Sequence, residues 1–155
     1  MPSTINRIEA ALSEAVEAAD DVRACTLRLM LTAVRDREHE AGRETDDQRV
    51  VLEGQALRDL LVRMVRQREA SIRENEETGH AAMADRERAE IEVIKAFLPR
   101  PMSRGEMQQA VARAILETQA CSIRDLGRVM GHLREKYPGR IDFGEAGAEV
   151  KAALG

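Results

Sequence analysis

Apolar residues recur at steps of three and four along almost the whole of this 155-residue sequence, and this spacing is the feature that most constrains its fold. A period of 3.6 residues places the apolar side chains on one face of an α-helix. The strict alternation of apolar and polar residues that indicates a half-buried β-strand does not occur. The sequence therefore predicts an all-α protein, with an N-terminal helical bundle that contains a long helical hairpin and with a small C-terminal three-helix module.

Capping residues divide the first part of the chain into two predicted helices. Ser3 or Thr4 can cap the first helix, because a hydroxyl oxygen accepts a hydrogen bond from a free N–H group of the first turn. Asp20 and Asp21 end this helix and begin the second one, which Gly42 then ends. The predicted buried faces are Ile5, Ile8, Leu12 and Val16 in the first helix, and Val22, Cys25, Leu29 and Ala33, widened by Leu27, Met30, Leu31 and Val34, in the second.

A long helical hairpin is predicted to follow a polar connection over residues 42–53, which contains a short irregular apolar run at residues 50–52. One helix runs from about residue 54 to residue 78. Gly79 allows the left-handed backbone that reverses the chain, and the return helix runs to about Phe97. The predicted buried residues of this hairpin are Leu57, Leu61, Met64, Val65 and Ile72, followed by Met83, Ile91, Ile94, Phe97 and Leu98.

Two prolines after the hairpin mark the predicted domain boundary. Pro99 and Pro101 cannot continue a helix, so we assign residues 1–98 to an N-terminal bundle and residues 103–155 to a C-terminal module. Three helix starts are indicated in this module, because a serine or aspartate is followed three residues later by an acid. These starts are Ser103 to Glu106, Ser122 to Asp125 and Asp142 to Glu145. The predicted buried faces are Met107, Val111 and Ile115; Leu126, Val129, Met130 and Leu133; and Phe143, Val150 and Leu154.

Residues with reactive side chains are sparse. The two cysteines and three histidines are not spaced as the ligand pairs of a zinc site. No phosphate-binding glycine loop and no G-x-S-x-G nucleophile elbow occur. We therefore expect no catalytic residue, no metal site and no cofactor, and a protein that acts by binding. The sequence contains no apolar run of the roughly 20 residues that cross a membrane and no signal-peptide pattern at its start, so we expect a cytoplasmic protein.

Charge is distributed unevenly along the chain. Residues 1–100 hold 16 basic and 21 acidic groups, whereas residues 101–155 hold 8 basic and 7 acidic groups. Only the C-terminal third can therefore face a polyanion without general repulsion. Phe97, Tyr137 and Phe143 are the only aromatic residues, so a protein that binds RNA by stacking bases on aromatic rings is not expected.

The predicted helix over residues 122–136 carries arginines and two glycines opposite its apolar residues. Gly127 and Gly131 lie one turn apart, and each costs roughly 1 kcal/mol relative to alanine, so a close approach to the backbone is expected to compensate. Another helix could approach, which is the more common use of helical glycine. A nucleic-acid backbone could approach instead, with basic side chains donating hydrogen bonds to phosphate. The candidate RNA-binding residues are Arg124, Gly127, Arg128, Gly131, Arg134, Lys136 and Arg140.

Several sequence blocks, which fall in order over nearly the whole chain, resemble the YqeY family. These blocks are TLRLMLTAVRDRE at residues 26–38, MVRQREASI at residues 64–72, Glu87 with EIEVI at residues 90–94, Leu98-Pro99, and DLGRVMG at residues 125–131 with GRID at residues 139–142. Family members resemble the C-terminal part of the B subunit of glutamine-dependent aspartyl/glutamyl-tRNA amidotransferase. The resemblance implies a helical bundle joined to a three-helix tail, and in the amidotransferase that tail helps to hold the tRNA.

The resemblance therefore favours the phosphate interpretation of the arginines and glycines, and it implies tRNA or another structured RNA as the partner. The ATP- and magnesium-dependent site of the amidotransferase lies in a larger domain that has no counterpart in 155 residues. We therefore expect no turnover from this chain alone. Two alternatives remain open: an adaptor that binds a protein of tRNA aminoacylation or transamidation, and an accessory component of a transamidation complex. Four further residues of the family-like blocks, Arg28, Gln67, Arg68 and Glu69, are expected to form interhelical polar contacts.

Overall fold

The computed structural model describes residues 2–47 and 49–155, which form seven α-helices, one short 3-10 helix and no β-strand. The all-α prediction is confirmed. The chain divides into two compact units, the first ending at Leu98 and the second beginning at Pro99. Each unit has its own apolar core. None of the described helices is both long enough and apolar enough to cross a membrane.

The N-terminal unit contains four helices whose starts and turns follow from local chemistry. Ser3 caps the first helix, because its Oγ accepts a hydrogen bond from the N–H of Asn6 at 3.1 Å. Asp20 caps the second helix in the same way. Gly79 has a φ of +80° and reverses the chain between the third and fourth helices, which pack against each other. The helices are α1 (Thr4–Glu17), α2 (Asp21–Thr45), α3 (Gly54–Glu77) and α4 (Ala81–Lys95).

The buried face of α3 was predicted correctly, since all five of its predicted core residues are buried. The predicted face of α2 is offset. Cys25 is exposed and Leu29 is 47% exposed, whereas the four flanking residues Leu27, Met30, Leu31 and Val34 form the core. On α1 and α4 the predicted Val16 and Met83 are exposed, and their neighbours Ala15 and Ala84 are buried instead. Small alanine side chains let two helices approach closely, and the predicted faces of α1 and α4, which consist of large apolar residues, do not include Ala15 and Ala84.

Helix α2 runs one turn beyond its predicted end at Gly42. The residue that ends it is Asp46, which adopts the left-handed conformation and whose N–H group donates to the carbonyl oxygen of Gly42. Aspartate tolerates this conformation better than most non-glycine residues. After the helix, Leu52 is buried in the core and its N–H group donates to Glu38 Oε1 at 3.0 Å. Gln48, which falls in the predicted polar connection, lies outside the described residues.

One of the four predicted interhelical polar contacts is present. Arg68 of α3 and Glu90 of α4 form an ion pair with an Nε to Oε2 distance of 3.0 Å, and their side chains are only 15% and 16% exposed. Arg28, Gln67 and Glu69 are exposed, and their side chains form no hydrogen bond with another described residue. The prediction is therefore correct for Arg68 alone.

The C-terminal unit contains three α-helices, each of which packs against the other two. Ser103 and Glu106 form the predicted capping box, and the Asp142 side chain caps the last helix by accepting from the N–H of Glu145. Of the predicted buried residues, Phe143 is instead exposed. The helices are α5 (Arg104–Thr118), α6 (Leu126–Lys136) and α7 (Phe143–Leu154). The buried core is Met107, Ala110, Val111, Ala114, Val129, Leu133, Ile141, Ala146 and Val150.

The predicted start of α6 is corrected by one turn. The residues before Leu126 form a 3-10 helix (Ile123–Asp125) rather than the first turn of an α-helix. The carboxylate of Asp125 accepts hydrogen bonds from the N–H groups of Cys121 at 2.9 Å and Ser122 at 3.4 Å, which tightens this turn. Arg124 therefore lies on the turn that precedes α6 and not on α6 itself.

Candidate nucleic-acid interface

The two glycines of α6 expose bare backbone to the solvent side of the C-terminal unit. Within this unit, a Cβ atom added to Gly127 or to Gly131 would meet no heavy atom within 4 Å outside the backbone of its own helix. Close packing inside the unit therefore does not require glycine at either position. The interpretation that these glycines permit internal helix packing is not supported. Their cost of roughly 1 kcal/mol each in helix propensity brings no gain inside the unit.

The outward face of α6 brings four of the candidate residues together. At 3.6 residues per turn, Gly131 and Arg134 fall in line with Gly127, and Arg128 lies beside them. These residues lie opposite Val129 and the other buried residues of α6. Lys136 lies seven residues after the buried Val129 and therefore extends from the side of α6 that faces α5, where it contacts Glu117.

Two arginines of this region keep most of their N–H donors available. Arg124 is exposed, and it forms no hydrogen bond or ion pair with another described residue. Arg134 is also exposed, and its guanidinium carbon lies 4.8 Å from the centre of the Phe143 ring. A ring beneath the guanidinium holds its plane without using its N–H groups. Both side chains can therefore donate to an external acceptor.

One nitrogen of the Arg128 guanidinium is bonded to Asp125. Its Nη2 atom lies 3.0 Å from Oδ1 of Asp125, and the side chain remains 56% exposed. The pKa of Asp125 is lowered, first by the hydrogen bonds from the N–H groups of Cys121 and Ser122 and then by Arg128. Because a guanidinium has five N–H donors, one bond to Asp125 leaves the others for a second anion.

Lys136 and His132 both donate to Glu117 of α5. Lys136 Nζ lies 3.0 Å from Oε1 and 3.3 Å from Oε2, and His132 Nε2 lies 2.5 Å from Oε2. The pKa of Glu117 is lowered, first by the bond from Lys136 and then by the bond from His132. No sequence signal indicated this contact, because Glu117 lies on a different helix from its two partners.

Arg140 is the candidate whose donors are most engaged by the fold. Its Nε donates to the carbonyl oxygen of Arg100 at 3.1 Å, and its Nη2 lies 3.5 Å from Oε2 of Glu106. The N–H group of Met102 donates to the carbonyl oxygen of Arg140 at 2.9 Å. Arg140 therefore connects the segment before α7 to the start of α5, and the structure does not group it with the outward face of α6.

A polar cleft of about 450 Å³ lies along the C-terminal half of α2 in the N-terminal unit. Its charged lining residues include Arg35, Arg43, Glu38 and Asp46. Two basic and two acidic groups balance, so the charge of the cleft selects no class of ligand. Among the residues that the structure describes, no group of three or more histidine, cysteine, aspartate or glutamate side chains is placed to hold a metal ion.

Comparisons with known proteins give one family and one curated relative. A family model described as "Yqey-like protein" matches residues 5–154. "Altered inheritance of mitochondria protein 41, mitochondrial" from Lachancea thermotolerans is 34% identical to this chain over 88 residues. This match covers 56% of the chain and 43% of the relative, so less than half of the relative's length is matched. Neither description names an RNA, an activity or a binding partner.

Proposed function

The chain belongs to the YqeY-like family, and we propose that it is a non-catalytic RNA-binding accessory protein that contacts phosphate groups through the outward face of α6. The observation that carries this proposal is the pair of bare glycines, whose Cβ positions are unoccupied by the rest of the C-terminal unit. Backbone without side chains allows a phosphate chain to lie against the helix. The surrounding arginines supply the hydrogen-bond donors.

The charges around the glycines support an anionic partner. Arg124, Arg128 and Arg134 are all exposed, and Asp125 is the one acid bonded to any of them among the described residues. Guanidinium groups bind phosphate through two parallel N–H donors, which gives both affinity and orientation. Contacts of this kind position a protein on RNA without reading its bases. We propose tRNA or another structured RNA as the partner, on the basis of the amidotransferase resemblance, and the cytoplasm as the compartment.

The experiment that tests this proposal is fluorescence anisotropy of labelled bulk tRNA at low and moderate salt. We expect the logarithm of the association constant to fall linearly with the logarithm of the salt concentration. The double variant Arg124→Glu/Arg128→Glu should lose binding by tenfold or more. Arg124→Glu alone should also weaken binding, and it breaks no bond to another described residue.

A matched control places the same charge change on the N-terminal unit. Arg63 and Arg66 are exposed on α3, and their side chains form no hydrogen bond or ion pair with another described residue. Arg63→Glu/Arg66→Glu should reduce binding much less than Arg124→Glu/Arg128→Glu. Equal losses in the two double variants, or no tRNA binding by the unchanged protein, would contradict the proposal.

A protein adaptor is the second candidate, and one observation favours it. Ile123 is 48% exposed one turn before Gly127, so apolar surface lies next to bare backbone. A helix of a partner protein in tRNA aminoacylation or transamidation could pack there. Copurification of a defined protein after nuclease treatment, together with no affinity for tRNA, would favour the adaptor.

Addition of the chain to a glutamine-dependent amidotransferase assay tests the accessory role in transamidation, and an unchanged rate would count against it.

A further inference from the structure

Two donors of α6 converge on a single carboxylate of α5. Lys136 and His132 are four residues apart, so their side chains extend from the same side of the helix. Both reach Glu117, at distances between 2.5 and 3.3 Å. An ionised carboxylate only accepts hydrogen bonds, so His132 Nε2 is the donor in its contact. The geometry of the two donors is therefore that of a site for an oxyanion.

Helix stability does not explain an acid at position 117. Glu117 lies in the last turn of α5, where the free carbonyl groups make a negative charge unfavourable. The other two carboxylates whose pKa is lowered, Glu106 and Asp125, accept hydrogen bonds from backbone N–H groups at helix starts. The carboxylate of Glu117 accepts no hydrogen bond from a backbone N–H group of a described residue. Its two hydrogen-bond partners are side chains of α6.

The carboxylate of Glu117 can also leave this contact without opening the fold. Its side chain is 43% exposed and that of Lys136 is 42% exposed. Exposed ion pairs of this kind contribute little to stability, because solvent screens the charges and both side chains lose freedom when they pair. Water is available to solvate the carboxylate once it is released.

We propose that Lys136 and His132 form a phosphate subsite on the side of α6 that faces α5, one turn from Arg128, and that the Glu117 carboxylate occupies this subsite in the free protein until an RNA phosphate displaces it. The inference rests on the proposed function, because it adds a further phosphate contact next to the proposed RNA-binding face. A phosphate oxygen accepts the same hydrogen bonds that the carboxylate accepts. Binding therefore exchanges one anion for another, and Glu117 lowers the affinity of the protein for RNA.

The exchange is tested by Glu117→Gln, which keeps the size of the side chain and removes its charge. In the tRNA anisotropy assay we expect this variant to bind three- to tenfold more tightly than the unchanged protein. The slope of affinity against salt should also steepen by about one phosphate contact, since Lys136 then meets phosphate without a competing acid.

Glu135→Gln is the matched control. Glu135 is an exposed acid on α6, and its side chain forms no hydrogen bond or ion pair with another described residue, so Glu135→Gln changes the net charge by the same amount as Glu117→Gln. It should tighten binding clearly less than Glu117→Gln. Lys136→Gln should then cost more affinity in the Glu117→Gln background than in the unchanged protein, because only there does Lys136 face the phosphate alone.

Three outcomes would overturn the subsite. Equal effects of Glu117→Gln and Glu135→Gln on tRNA affinity would show that the change in net charge alone explains the tighter binding. Weaker binding by Glu117→Gln would make Glu117 a residue that positions Lys136 and His132 for RNA. Both of these results leave the proposed RNA binding intact. No tRNA binding by the unchanged protein and by Glu117→Gln at low salt would remove the proposed function and the subsite together.

Discussion

At the scale of single residues, the glycines of α6 lower the stability of the helix and leave its outward surface without side chains. Gly131 lies in the middle of α6, where alanine would be the better helix former. Nothing in the C-terminal unit would obstruct the added methyl group. A substitution that improves the helix should therefore be tolerated by the fold, and its effect on binding reports whether a partner needs the bare backbone.

We predict that Gly131→Ala makes the C-terminal unit more stable by about 1 kcal/mol and weakens tRNA binding several-fold. Stability is measured by urea unfolding followed through Tyr137 fluorescence. Tyr137 is the one tyrosine of a chain without tryptophan, and it packs against the C-terminal core. Gly147→Ala on α7 is the matched control, because an added Cβ also meets nothing within 4 Å there. It should stabilise the unit without weakening binding. Equal binding by both variants would contradict a role for Gly131 in the interface.

At the scale of elements, polar contacts align helices whose apolar faces alone do not determine their register. Arg68 and Glu90 connect α3 to α4 with most of their side chains removed from solvent. Ser71 and Asn75, one and two turns after Arg68 on α3, donate to Glu87 of α4. Breaking a partly buried pair leaves a charge without its partner, which costs more than the pair itself contributes.

We predict that Arg68→Leu destabilises the N-terminal unit by about 1–3 kcal/mol, since Glu90 keeps only its contact with Arg86. Urea unfolding followed by far-ultraviolet circular dichroism measures this change. Arg66→Leu is the control, because the Arg66 side chain is exposed and forms no hydrogen bond with another described residue. It should change stability by less than about 0.5 kcal/mol. Similar losses in the two variants would show that the Arg68–Glu90 pair is not the cause. Neither change should weaken tRNA binding, which we assign to the other unit.

At the scale of the whole molecule, the response of the fold to acid can be argued for the C-terminal unit. Among the described residues, this unit contains three carboxylates with a clearly lowered pKa, Glu106, Glu117 and Asp125. The pKa of Glu106 is lowered mainly by its hydrogen bonds with Ser103. A carboxylate whose pKa is lower in the folded state stabilises that state above its ordinary pKa. It loses this contribution as the pH falls through the lowered value.

We predict that the C-terminal unit loses stability as the pH falls below about 4.5, the ordinary pKa of the two glutamates. Thermal unfolding followed through Tyr137 fluorescence between pH 7 and pH 3 measures this loss. The variant Glu106→Gln/Glu117→Gln/Asp125→Asn should be less stable at pH 7 and should show a flatter dependence on pH. An equal pH dependence in the triple variant and the unchanged protein would exclude these three groups as its source.

The sequence by itself determined the helical class and the helix starts at Ser103 and Asp142, and it narrowed the first helix start to Ser3 or Thr4. It also determined the turn at Gly79 and the buried face of α3, because caps, turns and a strong apolar period depend on neighbours within a few residues. Tertiary structure alone decided which side of α2 is buried, since neighbouring helices select that side and alanines let them come close. It alone decided the open space over Gly127 and Gly131. It also placed Glu117 between Lys136 and His132, because contacts between helices depend on packing that local sequence patterns do not encode.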